Sequence, residues 1–345
     1  MGKMISEIKE QPAALERLLK GERRNIAGIA DRIRKLDPAF LSLAARGSSD
    51  NAATFGKYLI ECENGLTCSL AAPSVHTVYK KKIDMRRGVV IGVSQSGEGD
   101  DINETLRLAR ASGAYTIGIT NTPGSAMAAV ADDVILLRAG VEKGLAATKT
   151  YTCQLMAMMM LSASLAGDRA LLAALDGVPD AVNETLAVES RVREITERYR
   201  YMERCVIIGR GFNYATVKEA ALKLMETSYV VAQPFSTADF MHGPIAMTGA
   251  GFPAFVCAPS GRMAAPIRKL CGELRDKQLE TVIASSNPAT LKLASKAIRM
   301  PVDCGELVSP ILYIVPFQFF ANFLSVARGL DPDNPRFLKK VTKTL

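Results

Sequence analysis

Three charged residues lie at a spacing suited to proton transfer. In the segment KEAALKLMETSY at 218–229, Glu219, Lys223 and Glu226 follow at i, i+4 and i+7, so a helix there would carry them on one face. A carboxylate beside an ammonium fits proton movement next to a carbonyl. From spacing alone, an ordinary solvent-facing Glu–Lys face fits as well and is the commoner arrangement. Shortly after comes His242-Gly243-Pro244, a histidine before a constrained turn, where an acid/base role is open beside a structural one. His76, the second of the two histidines, has no comparable context and reads as structural.

A second chemical pattern is made of small hydroxyl residues and glycines. Ser94-Gln95-Ser96-Gly97-Glu98-Gly99-Asp100-Asp101 follows an apolar run and precedes a helical pattern. The unpaired N–H groups and dipole of a helix start favour a phosphate there, though a simple cap by Asp100 or Asp101 fits equally well. Arg46-Gly47-Ser48-Ser49-Asp50 occupies a similar place earlier, and residues 140–149 form a long polar loop before another helix. No Gly-Lys-Ser/Thr ending marks a P-loop. No GxGxxG with a downstream acid marks a nicotinamide dinucleotide site.

The elements that must position these loops repeat. At a constant offset of 164 in the numbering, Arg46-Gly47 falls on Arg210-Gly211, Ser96-Gly97 on Ser260-Gly261, Ile119 on Ile283, and Val134 on Ile298. Short apolar runs at 40–45, 66–71, 89–93, 115–120 and 133–137 are matched by runs at 204–209, 229–233, 253–257, 281–284 and 297–302. Helical patterns such as 102–111 and 263–277 separate most of them. Continuous apolar runs alternating with helices predict parallel sheets covered on both faces. The fold class is therefore α/β, with two tandem doubly wound domains, each a five-stranded parallel sheet flanked by helices. In such sheets ligands bind beyond the carboxyl ends of the strands, where the Gly- and Ser-rich loops lie. The expected organisation is a helical lead over 1–39, a first domain over 40–179, a helical linker over 180–200, a second domain over 201–330 and a tail over 331–345.

Composition narrows the partners. The chain has 345 residues, 48% hydrophobic and 23% charged, which excludes a disordered tail or a disulfide-stapled scaffold. Its net charge of +8 suits nucleic acid and phosphorylated metabolites equally, but the basic run Lys80–Lys82 with Arg86 and Arg87 has only Tyr79 beside it, so base stacking is not suggested and the run reads as a solvated loop. No nucleic-acid partner is expected. Seven cysteines with no CxxC spacing read as reduced thiols, and the first residues hold no secretory apolar stretch, so a cytoplasmic location is expected. Residues 308–327 carry no formal charge over a bilayer-spanning length, but Pro310, Pro316, Gln318 and Asn322 favour a helix buried between domains over a membrane span.

Five ordered motifs then resemble one family. SQSGE at 94–98, ATK at 147–149, KEAALKLMETSY at 218–229, HGP at 242–244 and PRFLKKVT at 335–342 are similar to the isomerase part of glucosamine-6-phosphate synthase, which is built of two sugar-isomerase (SIS) domains. The resemblance implies a substrate of the fructose 6-phosphate or glucosamine 6-phosphate type and needs no metal or cofactor. It implies that Glu226 moves a proton between C1 and C2, Lys340 forms an imine with the ketose, and Lys223 assists at the C1 oxygen while Glu219 orients the site. It implies that His242 aids ring opening across a homodimer interface. Ser94, Gln95, Ser96 and Ser49 would hold the phosphate. Gly47, Ser48, Leu145 and Ala147 would line the sugar, and the tail would contribute to the site.

The sequence departs from that family at three places. Gly99 replaces a threonine, Ala147 a serine and Arg46 a cysteine. The first apolar run begins at position 40, after only the short helical lead, and residue 2 is Gly, so no glutaminase part is expected. The expected reaction is release of ammonia from glucosamine 6-phosphate with formation of fructose 6-phosphate. The alternatives are a fructosamine-6-phosphate deglycase and a non-catalytic sugar-phosphate sensor.

Overall fold

Runs rich in Val, Ile and Ala become ten strands among the described residues, and every pairing is parallel. The computed structural model describes residues 2–340. One sheet holds β1 (Phe40–Ala45), β2 (Cys68–Leu70), β3 (Gly88–Ser94), β4 (Tyr115–Thr120) and β5 (Asp133–Leu136), in the order β2-β1-β3-β4-β5. The other holds β6 (Arg204–Gly209), β7 (Val231–Ser236), β8 (Pro253–Cys257), β9 (Glu280–Ser285) and β10 (Lys296–Arg299), in the order β10-β9-β8-β6-β7. Read from the opposite edge, the second order is the same as the first.

The repeat extends to the register. Ser42 lies opposite Val90 in the first sheet and Val206 opposite Ala254 in the second, so the same offset carries one pair onto the other. The helices after the first and third strands of each sheet are Ser48–Asn64 and Asp100–Ala111 in one copy, and Asn213–Ser228 and Ala264–Asp276 in the other. Central strands are buried along almost their whole length, because helices cover both faces.

The chain forms two compact units. The first comprises residues 10–142 and 149–179 with residues 339–340, and the second comprises residues 2–9, 143–148 and 180–338. The helical lead divides accordingly, with Gln11–Leu36 in the first unit and Lys3–Lys9 in the second. One core cluster gathers Val90, Ile102, Leu106 and Met127. The other gathers Val206, Val256, Ile267, Leu270 and Leu274. Each such side chain contributes about 1.5–3 kcal/mol by leaving water.

Strand ends differ from the apolar runs where a local rule intervenes. Tyr229 takes a left-handed conformation (φ 57°) and caps the helix Asn213–Ser228, so β7 starts only at Val231. The β9–β10 ladder ends with Met300 N–H bonded to the Ser285 carbonyl, and Pro301 has no N–H to continue it. The long apolar segment forms the helix Gly305–Ala327, which is buried within the second unit. Its Phe320 packs edge-on to Phe255 of β8 at 4.8 Å, and Tyr199 joins both rings.

Candidate active site

All strands of a sheet run one way, so the loops after β1 and β3 leave the same edge. After β1, Gly47 turns the chain with φ 55° and ψ −131°, a conformation that glycine adopts without strain. The helix Ser48–Asn64 follows at once, with Ser48 half-buried and Ser49 buried. Ser49 Oγ accepts a 2.9 Å hydrogen bond from Gln154 Nε2, which leaves the serine O–H to donate.

After β3 the loop is drawn into a tight turn. Ser94 Oγ accepts from Gly97 N at 3.1 Å, and Ser96 Oγ accepts from Glu98 N at 3.2 Å. The Gln95 carbonyl accepts from Asn121 N at the end of β4. Gly97 has φ 72°, and a Cβ there would collide with Ser125 Oγ, so a side chain is excluded on both counts. The helix Asp100–Ala111 starts behind this turn at Gly99, with no side-chain cap. An Asp carboxylate still takes one N–H of the first turn, because Asp101 Oδ1 accepts from Ile102 N at 2.9 Å. Asp101 lies inside the first turn, 2% exposed, and its Oδ2 takes Arg46 Nε at 2.8 Å. Arg46 neutralises the acid beside the loop. The first unit thus brings Gly47, Ser48 and Ser49 onto the same sheet edge as Ser94, Gln95 and Ser96.

Lys340 belongs to this unit as well. Its Nζ lies 3.2 Å from Glu142 Oε2, whose side chain is fully buried. The Glu142 carboxylate is fixed by Thr150, from N at 3.2 Å and from Oγ1 at 2.8 Å. Glu142 has no local spacing signal and was not among the residues singled out from sequence. The nearby Lys149 is also buried, paired with Glu10 at 2.6 Å and bonded to the Val141 carbonyl.

The second unit holds the acid–base trio. On the helix Asn213–Ser228, Lys223 Nζ lies 3.3 Å from Glu219 Oε1 and is hydrogen-bonded to Glu226 Oε2. The solvent-facing alternative is excluded: Lys223 and Glu219 side chains are 0% exposed, whereas Glu226 is 21% exposed. Burial alone pulls the ammonium down, but the charges of Glu219 and Glu226 outweigh it and hold Lys223 above the usual lysine value. Glu219 is sealed from solvent, and Glu226 is the member of the three that is partly open to it.

Leu145 and Ala147 lie half-buried in residues 143–148, also part of the second unit. The buried carboxylate of Glu7 takes the Lys143 and Gly144 N–H groups, and Gln318 Nε2 reaches the Thr148 carbonyl. His242 sits apart from the trio in the described hydrogen bonding. Its backbone ends the short helix Thr237–Met241, and its side chain is exposed with no hydrogen bond or ion pair among the described residues. Gly243 follows at φ 140°. Among the described residues no group of three or more His, Cys, Asp and Glu is placed to hold a metal ion.

Comparison with known proteins agrees with this architecture. The SIS domain family model matches residues 41–164 and again 199–327. The chain is 34% identical over 339 residues to the glutamine–fructose-6-phosphate aminotransferase (isomerizing) of Aquifex aeolicus, covering 98% of this chain and 57% of that protein. It therefore spans little more than half the length of that relative. A crystal structure of a candidate phosphosugar isomerase from Silicibacter pomeroyi is 32% identical, covers 96% of this chain and 100% of its own, and superposes with a TM-score of 0.85. The glucosamine-6-phosphate deaminase of Thermotoga maritima shares the fold, with a TM-score of 0.80 at 21% identity, covering 99% of this chain and 100% of that one. With two matched domains on two sheets of one topology, the chain belongs to the SIS domain family, in the company of phosphosugar isomerases.

Proposed function

We propose that the protein is an amino-sugar-phosphate isomerase that converts glucosamine 6-phosphate into fructose 6-phosphate and ammonia. The observation that carries this is the trio on the helix Asn213–Ser228: a buried ammonium held between one sealed carboxylate and one open one. Aldose–ketose exchange needs a base that takes a proton from C2 and returns it to C1, with a cation beside the developing oxyanion. Glu226 serves as the base, Lys223 as the cation, and Glu219 fixes Lys223. The product of this step carries an imine at C2. Attack by the Lys340 amine at C2 expels ammonia, and water then hydrolyses the lysine imine to free the ketose and the amine. Lys340 must lose a proton before it attacks, and in this reading the Glu142 carboxylate, 3.2 Å away, accepts it.

In this proposal the substrate phosphate is held by the hydroxyls of Ser94, Ser96 and Ser49, with the Gln95 side chain and the start of the helix Asp100–Ala111. Gly47, Ser48, Leu145 and Ala147 line the sugar. The sugar class follows the Aquifex relative, whose name contains fructose 6-phosphate. His242 would act in ring opening from a second copy of the chain. Its exposure, beside Met241 at 41% and Met247 at 48%, suits a residue that completes a neighbour's site.

The test is incubation of the purified protein with glucosamine 6-phosphate, following fructose 6-phosphate and ammonia together, with fructosamine 6-phosphate as a parallel substrate. Glu226→Gln should lower kcat by about 10²–10⁴. Absence of turnover by the wild type would sink the deaminase assignment, and unchanged turnover by Glu226→Gln would sink the base assignment.

A further inference from the structure

The repeat gives each domain a loop of the same build, yet the two loops are finished differently. In the second copy, Ser260-Gly261-Arg262 is the counterpart of Ser96-Gly97-Glu98 at the offset of 164, and it precedes the helix Ala264–Asp276 as Ser96–Glu98 precedes Asp100–Ala111. There the Arg262 N–H donates to Glu306 Oε2 at 2.7 Å. A Cβ built on Gly261 would lie 2.6 Å from that same oxygen, and one built on Gly211 would lie 3.4 Å from Glu306 Oε1. Gly211 is the counterpart of Gly47. The Glu306 carboxylate therefore lies between the loop after β6 and the loop after β8. Ser260 Oγ, the counterpart of the Ser96 hydroxyl, is hydrogen-bonded to Asp303.

In the first copy the Glu98 N–H turns back to Ser96 Oγ. At the same offset, the counterpart of Glu306 is Glu142, and its carboxylate goes elsewhere, to Thr150 and Lys340. One sequence position thus has two occupations. In the first domain the glutamate partners a lysine, and in the second it fills the place between the two loops that an anion would take.

We propose that Glu306 is a specificity-determining residue: its carboxylate is a built-in anion that closes the second domain's loop pair, so that each chain takes one phosphate, at the first domain's loops. This goes beyond the proposed reaction but rests on reading the Ser94–Ser96 turn as a phosphate seat. A carboxylate presents two acceptor oxygens to backbone N–H groups as a phosphate does, and it repels a second anion from the same place.

Selenate, a phosphate-shaped anion with an anomalous signal, tests this in crystals of the wild type, Glu306→Ala and Glu306→Ser. The serine variant keeps a polar helix start should the alanine variant fold poorly. Expected are one selenium peak per chain in the wild type, beside Ser94–Ser96, and two in a Glu306 variant, the new one beside Ser260–Arg262. A wild-type peak at Ser260–Arg262, or Glu306 variants with no peak there, overturns the proposal. A Glu306-variant peak without any peak at Ser94–Ser96 upholds the role of Glu306 and overturns the phosphate seat of the first domain instead.

Discussion

Replacing Lys223 by Met removes the ammonium from beside a carboxylate that has no access to water. Glu219 and Lys223 are both fully buried at 3.3 Å, so Lys223→Met takes an ammonium away from a carboxylate in a low-dielectric interior. Breaking a buried pair in this way costs about 3–5 kcal/mol. Glu226 adds little to that cost, because its 21% exposure lets water take over. For a body of this size each kcal/mol moves Tm by about 2–4 °C, so the variant should melt about 6–20 °C below the wild type. Glu219→Gln is milder, because Lys223 keeps Glu226, and losing one charged hydrogen bond costs about 1.5–3 kcal/mol. The double variant is the decisive member of the set. With Gln at 219 and Met at 223 both charges of the buried pair are gone, and at least half of the Lys223→Met loss should return. Scanning calorimetry of the four proteins reads this, comparing the Tm of the affected transition, since a chain of two units need not melt in one step. A double variant that melts as low as Lys223→Met refutes the charge argument and leaves lost packing as the cause.

Three further outcomes follow from the same structure. Gly97→Val forces a side chain into φ 72° and against Ser125, so it should abolish binding of inorganic phosphate at this loop and lower Tm, read by titration calorimetry and thermal melts. Glu142→Gln removes the carboxylate proposed to accept the Lys340 proton, so borohydride trapping of fructose 6-phosphate on Lys340, read by peptide mass, should fall several-fold relative to the wild type. An equal yield would show that Glu142 does not act on this lysine. Lys223 is held above the usual lysine value of about 10.4. A raised lysine adds stability that is whole below that value and is lost as pH rises through the folded value. The Tm gap between wild type and Lys223→Met should therefore hold from neutral pH to about 10 and narrow beyond about 10.4; a gap already closing near pH 8 contradicts the assignment.

The backbone plan was largely written in the sequence, because fully covered parallel strands read as uninterrupted apolar runs and the offset of 164 pairs them. What the pattern misplaced were ends set by single residues: Tyr229 extends the apolar run before β7 but caps a helix, and Pro301 closes β10. The candidate site was legible in its residue types and not in its environment. The i, i+4, i+7 spacing of Glu219, Lys223 and Glu226 is identical on an exposed helix and a buried one, and only the fold shows that this pair of Glu219 and Lys223 is buried. Glu142 and Glu306 were illegible for the opposite reason. Each acts through tertiary contacts with residues far along the chain, and only their shared offset links them.

The buried helix Gly305–Ala327 sets an order of events in synthesis. It follows all five strands of the second sheet in the chain, yet its Phe320 closes the ring cluster over Phe255 of β8. Until the ribosome has made residue 320, the apolar surface under that ring has no lid, while the first domain's strands have long been complete. The two halves of one repeated plan therefore mature at different times, and the later half passes through a stage in which a bilayer-length apolar segment and an uncovered sheet face coexist. Holding that stage in solution is a demand that this one helix places on the cell's folding machinery.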